Sequence, residues 1–176
     1  SAASDVYKRQ GIDNAFPHHT NEIAQSEAYL GHKWCNYWFH ILHLNTNSGK
    51  MSKSKGEFLT VSLLESKGYD PLVYRFFCLQ SHYRKSLVFT YENLDNAKTA
   101  YNKLTARIAQ LMADKKPDEV VELEDFEKFK GSFKAALDDD INTSNAITVL
   151  YDVLKADTNN ETKLALIEDF DKVLSL

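Results

Sequence analysis

"LDNAKTAYNKLTARIAQL" (residues 94–111) decides the fold of the rear half of this 176-residue chain. Leu94, Ala97, Tyr101, Leu104, Ile108 and Leu111 recur in alternating steps of three and four, which draws one apolar stripe along a single long helix. Further along the chain, "DKKPDE" (114–119) breaks that helix, and Phe126, Phe129, Phe133 and Leu137 line a second. "DDDINT" (138–143) reads as a linker, with Thr143 or Ser144 available to cap a third helix through Leu154. "ADTNNE" (156–161) separates a fourth, marked by Leu164, Ile167, Phe170 and Leu174. Four amphipathic helices with short connections predict an antiparallel bundle. The stripes are too interrupted for a coiled coil.

Towards the N-terminus the texture changes near position 85. Both tryptophans, all six histidines and both cysteines lie in front of it. "NEIAQSEAY" (21–29) favours helix, and Gly31 is placed to stop it. "CNYWFHILHL" (35–44) is rich in aromatic and β-favouring residues and reads as a buried strand, or as two joined elements. "NTNSG" (45–49) is a turn cluster. Thr60 is placed to cap "VSLLESK", with Gly68 as its stop, and Asp70-Pro71 opens the helix "LVYRFFCLQSHY". The first ten residues, "SAASDVYKRQ", carry no period and no cap leading onward; they read as a foreign leader and are set aside.

Composition narrows the class. A net charge of −4 means that the whole protein is not a polyanion binder, so any nucleic-acid contact must come from a local patch. Two cysteines, Cys35 and Cys78, without a CxxC pair fit a reducing compartment. No apolar run approaches the ~20 residues of a membrane span, and no signal-peptide pattern is present. The expectation is a cytoplasmic protein with no membrane partner.

Four features carry candidate chemistry. The first is "GKMSKSKGEF" (49–58), where Lys50 and Lys53 stand three apart with Ser52 and Ser54 beside them. Ammonium groups on flexible stems, hydroxyls and free backbone N–H groups suit a triphosphate and the charge moving onto a leaving pyrophosphate; the ordinary alternative is a solvated turn. The second is "FPHHTNEIAQSEA" (16–28). His18 and Glu22 are four apart, hence on one helix face, and imidazole and carboxylate at that spacing can share a metal. His19 points elsewhere, and the ordinary reading is a helix start carrying polar histidines. Cys35 and Cys78 are candidates for further ligands, but each lies in an apolar run and fits a small buried hydrophobe better. The third is Asp13, an acid close after Gly11, positioned to hydrogen-bond a ribose hydroxyl or simply to make a turn. The fourth is "SHYR" (81–84), where Arg84 and Lys85 form a small basic spot available to a nucleic-acid backbone. His40 and His43 read as core histidines, with nucleotide neighbours as the alternative.

These strings, in this order, resemble cysteinyl-tRNA synthetases. "GIDNAFPHHTNEIAQSEAYLG", "CNYWFH", "KMSKSKGEFLTV", "YDPLVYRFFCLQSHYR", "DDDINT" and "FDKVLSL" carry the likeness from Gly11 to Leu176. "KMSKS" alone points to a class I synthetase, and "FPHHxNEIAQSEA" to the cysteine enzyme. The resemblance implies an α/β fold: the C-terminal part of a Rossmann-like catalytic domain (11–85) followed by an α-helical bundle (86–176), after a leader (1–10). It implies ATP, with Mg2+, as cosubstrate and cysteine and tRNA(Cys) as partners; a monomer is the expectation. It implies a zinc ion held by two cysteines, a histidine and a glutamate, the last two matching His18 and Glu22, with zinc binding the substrate thiolate that a serine competitor lacks. Lys53 matches the lysine used on ATP, and Asp13 lies beside the adenylate pocket.

The departures are specific. The family's zinc cysteines lie upstream of the matched region, as does its histidine-rich ATP signature. Neither Cys35 nor Cys78 occupies a zinc position, and Thr20 stands where many members have glutamate. The expectation is that this chain alone makes no adenylate, and that the lysine loop and the His18–Glu22 face share one pocket. Two other readings stay open: a mycothiol-pathway ligase joining cysteine to an amino sugar, and a non-catalytic module contacting tRNA or a protein.

Overall fold

The structure, a computed structural model, describes residues 7–46, 49–50 and 60–176. The chain divides into two compact units. One, the front unit, comprises residues up to Met51 together with Tyr83–Val88; the other, the helical unit, comprises Ser52–His82 and Phe89–Leu176. This departs from the boundary expected at 85/86: the segment 60–82 belongs with the helices. The reason is apolar: the helix opened by Asp70-Pro71 buries Val73, Phe76 and Phe77, the last packing edge-on against Phe89 at 6.1 Å between ring centroids.

In the front unit, strand β1 (Tyr7–Gly11) leads through a 3₁₀ turn (Ile12–Asn14) and a π-type turn (Ala15–His19), broken at Phe16 by extended dihedrals, into helix α1 (Thr20–Leu30). Gly31 ends α1 in the left-handed region, φ 71°, where a side chain would be strained. Strand β2 (Tyr37–Ile41) then returns to pair with β1 in parallel, with Gln10 opposite His40 and Gly11 opposite Ile41. Parallel strands joined through a helix form a βαβ unit, the building block of α/β folds. The exclusion of residues 1–10 therefore needs correcting: Tyr7–Gln10 form most of β1. A single strand in a short βαβ unit has no helical period, and its pairing partner lies about thirty residues away, so local sequence could not reveal it. A second small sheet runs β4 (Gly49–Lys50), β3 (Leu44–Thr46), β5 (Leu87–Phe89), with β3 and β4 antiparallel. The aromatic stretch 35–44 is thus two elements, and β2 is half-exposed rather than buried.

The helical unit begins with α2 (Val61–Ser66), capped by Thr60, whose side chain accepts from the Leu63 N–H, and α3 (Pro71–Leu79), capped by Asp70. Helix α4 (Tyr91–Asp114) follows, capped by Thr90, then α5 (Leu123–Asp138), α6 (Thr143–Lys155) and α7 (Asn160–Leu174). The cap of α6 is Asn142, which accepts from the Asn145 N–H at 3.2 Å, rather than Thr143 or Ser144. Its geometry follows from Asp140 and Ile141, both held at positive φ, which turn the chain so that Asn142 is the last non-helical residue. Leu94, Ala97 and Leu104 of the predicted stripe are buried, and Phe133 of α5 stacks on Phe170 of α7 at 4.0 Å between ring centroids. Arg75 donates from Nε to the Leu174 carbonyl (2.5 Å) and Arg107 to the Leu154 carbonyl (2.7 Å), satisfying carbonyls that helix ends leave open. Among the described residues no helix is long and apolar enough to cross a membrane.

Candidate active site

The front unit collects its polar side chains where β1 and β2 meet the start of α1. His19 is buried, 2 % exposed, although it is an imidazole at a helix start. Two polar partners offset that burial: its Nδ1 lies 2.9 Å from His40 Nε2 and its Nε2 3.1 Å from Gln10 Oε1. With the Gln10 carbonyl oxygen accepting from Nε2–H, Nδ1 is the lone-pair nitrogen and His40 Nε2–H donates to it. Trp38 packs on the same ring at 4.8 Å. Trp38 and His40 are two apart on β2 and so face the same side. Burial holds the His19 imidazole below its ordinary value, with the nearby His40, His18 and Lys8 charges acting the same way and Glu22 opposing.

His18 projects into solvent with its side chain 60 % exposed, and its Nε2 lies 3.8 Å from Glu22 Oε1. The i, i+4 spacing thus brings together the two residues it was expected to. Glu22 Oε1 also lies 3.4 Å from the Lys8 ammonium, while its Oε2 is buried without a hydrogen-bond partner. As a metal site this set is incomplete. It offers two donors where zinc takes three or four from protein, and a cation already faces the carboxylate. Among the described residues, no group of three His, Cys, Asp or Glu is arranged to hold a metal. Cys35 is buried, and its thiol donates to the Tyr37 carbonyl; Cys78 belongs to α3 in the helical unit, where burial pushes its thiol up. On the described residues, zinc does not fit.

Asp13 lies after β1 in the 3₁₀ turn, with Oδ1 3.0 Å from His43 Nε2. The pair explains Gly11. A Cβ there would stand 2.6 Å from Asp13 Oδ1 and 2.7 Å from His43 Cε1, so only glycine lets the acid and the imidazole meet over the strand end. Sequence reading found Asp13 but not its partner, thirty residues away; it also left His19 without a role and excluded Gln10. The one available signal was the alternation of Trp38 and His40. Arg84 is stacked on its neighbour Tyr83, which packs on Phe39 at 4.0 Å, so part of the basic spot is tied to the front unit. Lys50 is described by its backbone alone, in β4 opposite Asn45. Ser52, Lys53 and Ser54 lie outside the described residues, as does the expectation that the lysine loop shares a pocket with His18 and Glu22.

A βαβ unit with a polar cluster at the strand ends, joined in sequence to a helical unit, is the arrangement of a class I synthetase. Residues 5–99 match the family described as tRNA synthetases class I (C) catalytic domain, and residues 132–175 match the DALR domain. The chain belongs to the class I (C) tRNA synthetase family. Within it, the similar curated relatives are cysteine–tRNA ligases. That of Bacillus licheniformis is 39 % identical over 180 aligned residues, covering 94 % of this chain and 38 % of the relative. That of Bacillus thuringiensis strain Al Hakam is 45 % identical over 150, covering 81 % and 32 %. The chain thus spans between 32 % and 38 % of these relatives' lengths. A solved ternary complex, LeuRS–tRNA–LeuAMS of Agrobacterium radiobacter K84, aligns with 99 % of this chain and 26 % of its own at a TM-score of 0.66; at 15 % identity it shows a shared fold alone.

Proposed function

We propose that this chain is part of a cysteine–tRNA ligase, an enzyme that activates cysteine with ATP to cysteinyl-adenylate and pyrophosphate and then passes the cysteine to tRNA(Cys). The observation that carries the reading is the likeness to cysteine–tRNA ligases across 94 % of the chain, including the segment that brings His18, in the turn before α1, to Glu22 in its first turn. In this reading Asp13, oriented by His43, accepts from a ribose hydroxyl at the end of β1, where nucleotides bind in α/β sheets. Lys50 and Lys53 meet the triphosphate as point charges and follow charge onto the departing pyrophosphate, with Mg2+ accompanying ATP. Ser52 and Ser54 steady that loop. His19, fixed between Gln10 and His40, holds the start of α1 against β2 and so sets where His18 and Glu22 project.

Zinc enters only through the family likeness. His18 and Glu22 would be two of its ligands, and any zinc bound here needs donors beyond these two. The enzyme works in the cytoplasm as a monomer.

The test is a chimera. Residues 7–176, which include β1, replace the matching stretch of the Bacillus licheniformis cysteine–tRNA ligase, and charging of tRNA(Cys) with cysteine is measured. A folded chimera that charges cysteine supports the proposal. One that is folded, binds tRNA and makes no cysteine-dependent product contradicts it.

A further inference from the structure

A groove along the helical unit has no part in the reading above. Ile108 and Met112 of α4 and Leu164 and Ile167 of α7 line an opening of about 460 Å3. Met112 is 65 % exposed, so this apolar surface is wet. Its charged lining is one-sided: Glu168 and Asp171, three apart on α7, with no lysine or arginine among the described lining residues. The nearby Lys172 is already engaged by Asp169. The surroundings have the same sign. Residues 91–176 carry 18 Asp and Glu against 11 Lys and Arg, a net charge of −7, whereas the first 90 residues carry +3.

We infer that this groove is a docking surface for a basic amphipathic helix. A channel between two helices accepts a third helix that presents apolar side chains at i, i+3, i+4 and i+7. Ile108, Met112, Leu164 and Ile167 supply the counterpart to that stripe. The carboxylates on α7 meet lysine or arginine along its flank, Glu168 more than Asp171, whose Oδ1 already accepts from the Leu176 N–H at 2.7 Å. Charge selects the partner. An acidic helix meets a field of its own sign, and a nucleic acid brings more negative charge and no apolar face to cover Met112. The inference is independent of the ligase reading, since it uses no residue of the front unit.

The test uses the 176-residue chain and a fluorescein-labelled synthetic peptide of about 18 residues, leucines in helical register and lysines elsewhere, followed by anisotropy. Saturable binding that weakens with salt is expected. Met112→Glu places a charge in the apolar centre and weakens binding by at least about tenfold. Glu168→Lys weakens it by about three- to fivefold and flattens the salt dependence. Met112 and Glu168 are exposed, so circular dichroism shows both variants folded as the parent is. The same peptide with glutamates in place of lysines binds at least about tenfold more weakly than the lysine version. Absence of saturable binding, equal binding of the acidic peptide, or indifference to Met112→Glu overturns the inference. So does a sedimentation result in which the parent chain is a dimer and Met112→Glu is a monomer, because the occupant is then a second copy.

Discussion

The two units are built on opposite principles. Among the described residues, the helical unit holds eighteen of the nineteen buried apolar side chains, from Leu64 to Leu174. Among the described residues of the front unit, only Cys35 and His19 are buried. Its contacts mix polar pairs with aromatic packing: His19 between His40 and Gln10 with Trp38 on its ring, Asp13 on His43, Glu22 beside Lys8, and Phe39 stacked on Tyr83. Apolar burial is the main favourable term in folding, whereas a satisfied hydrogen bond contributes a net of only about 1 kcal/mol. The helical unit therefore carries most of the apolar burial, and the front unit has little core of its own. The sequence makes them separable by spectroscopy, because Trp34 and Trp38 both lie in the front unit while most helix lies in the other.

The largest expected effect falls on the helical unit. Phe170→Ala removes a ring that is 1 % exposed and stacked on Phe133, at a cost of about 3–5 kcal/mol. It is read as a lower urea midpoint for ellipticity at 222 nm; a cost below about 1 kcal/mol would mean that the bundle core is not where the contacts place it. Next comes Thr162, the one fully buried hydroxyl among the described residues. Its Oγ1 accepts from the Glu122 N–H at 2.8 Å and donates to Asn159 Oδ1, tying the start of α5 to the start of α7. Thr162→Val keeps the volume and strands that N–H, for a loss of about 1–3 kcal/mol on the same ellipticity signal. An unchanged midpoint would show that water satisfies the Glu122 amide.

The smallest effect belongs to the front unit and to pH. Burial lowers the folded pKa of His19 below the ordinary 6.5, so the folded unit binds the proton less readily than the unfolded chain. Its contribution is fully present above pH 6.5 and is lost as pH falls below that value towards the folded pKa. Tryptophan-detected urea midpoints are expected to be lower at pH 5.5 than at pH 7.5, and His19→Gln to reduce the difference. A difference of the same size in the variant would assign the pH dependence to another group.

The two units also differed in how much their sequences disclosed. The helices of the helical unit follow from local rules: a stripe at steps of three and four, Thr60 and Asp70 at the caps, and glycine at φ 82° after Lys67. Two readings missed: the helix opened by Asp70-Pro71 stops at Leu79, short of Tyr83, and the cap of α6 is Asn142, because asparagine, threonine and serine compete in "NTS" and the positive-φ pair before them decides between the three. In the front unit, the His18–Glu22 approach was legible because four residues on a helix is a local relation. His19 with His40, Asp13 with His43, and β1 with β2 join residues twenty to thirty positions apart, and no local periodicity reports such pairings. Aromatic content suggested burial for 35–44 and left one strand or two joined elements open; the stretch is two elements, and β2, paired among the described residues with β1 alone, stays half-exposed.

The central claim is that the polar cluster of the front unit serves cysteine activation rather than stability. Cysteine-dependent ATP–pyrophosphate exchange by the chimera, with and without Glu22→Gln, tests it most directly. Glu22 Oε1 has two partly exposed contacts, with Lys8 and His18, and its Oε2 is buried without a hydrogen-bond partner, so Glu22→Gln should leave the thermal midpoint nearly unchanged. The account predicts that exchange falls by at least about a hundredfold in a variant as stable as its parent. Exchange at the parental rate, or loss of activity only in proportion to loss of folded protein, would contradict it.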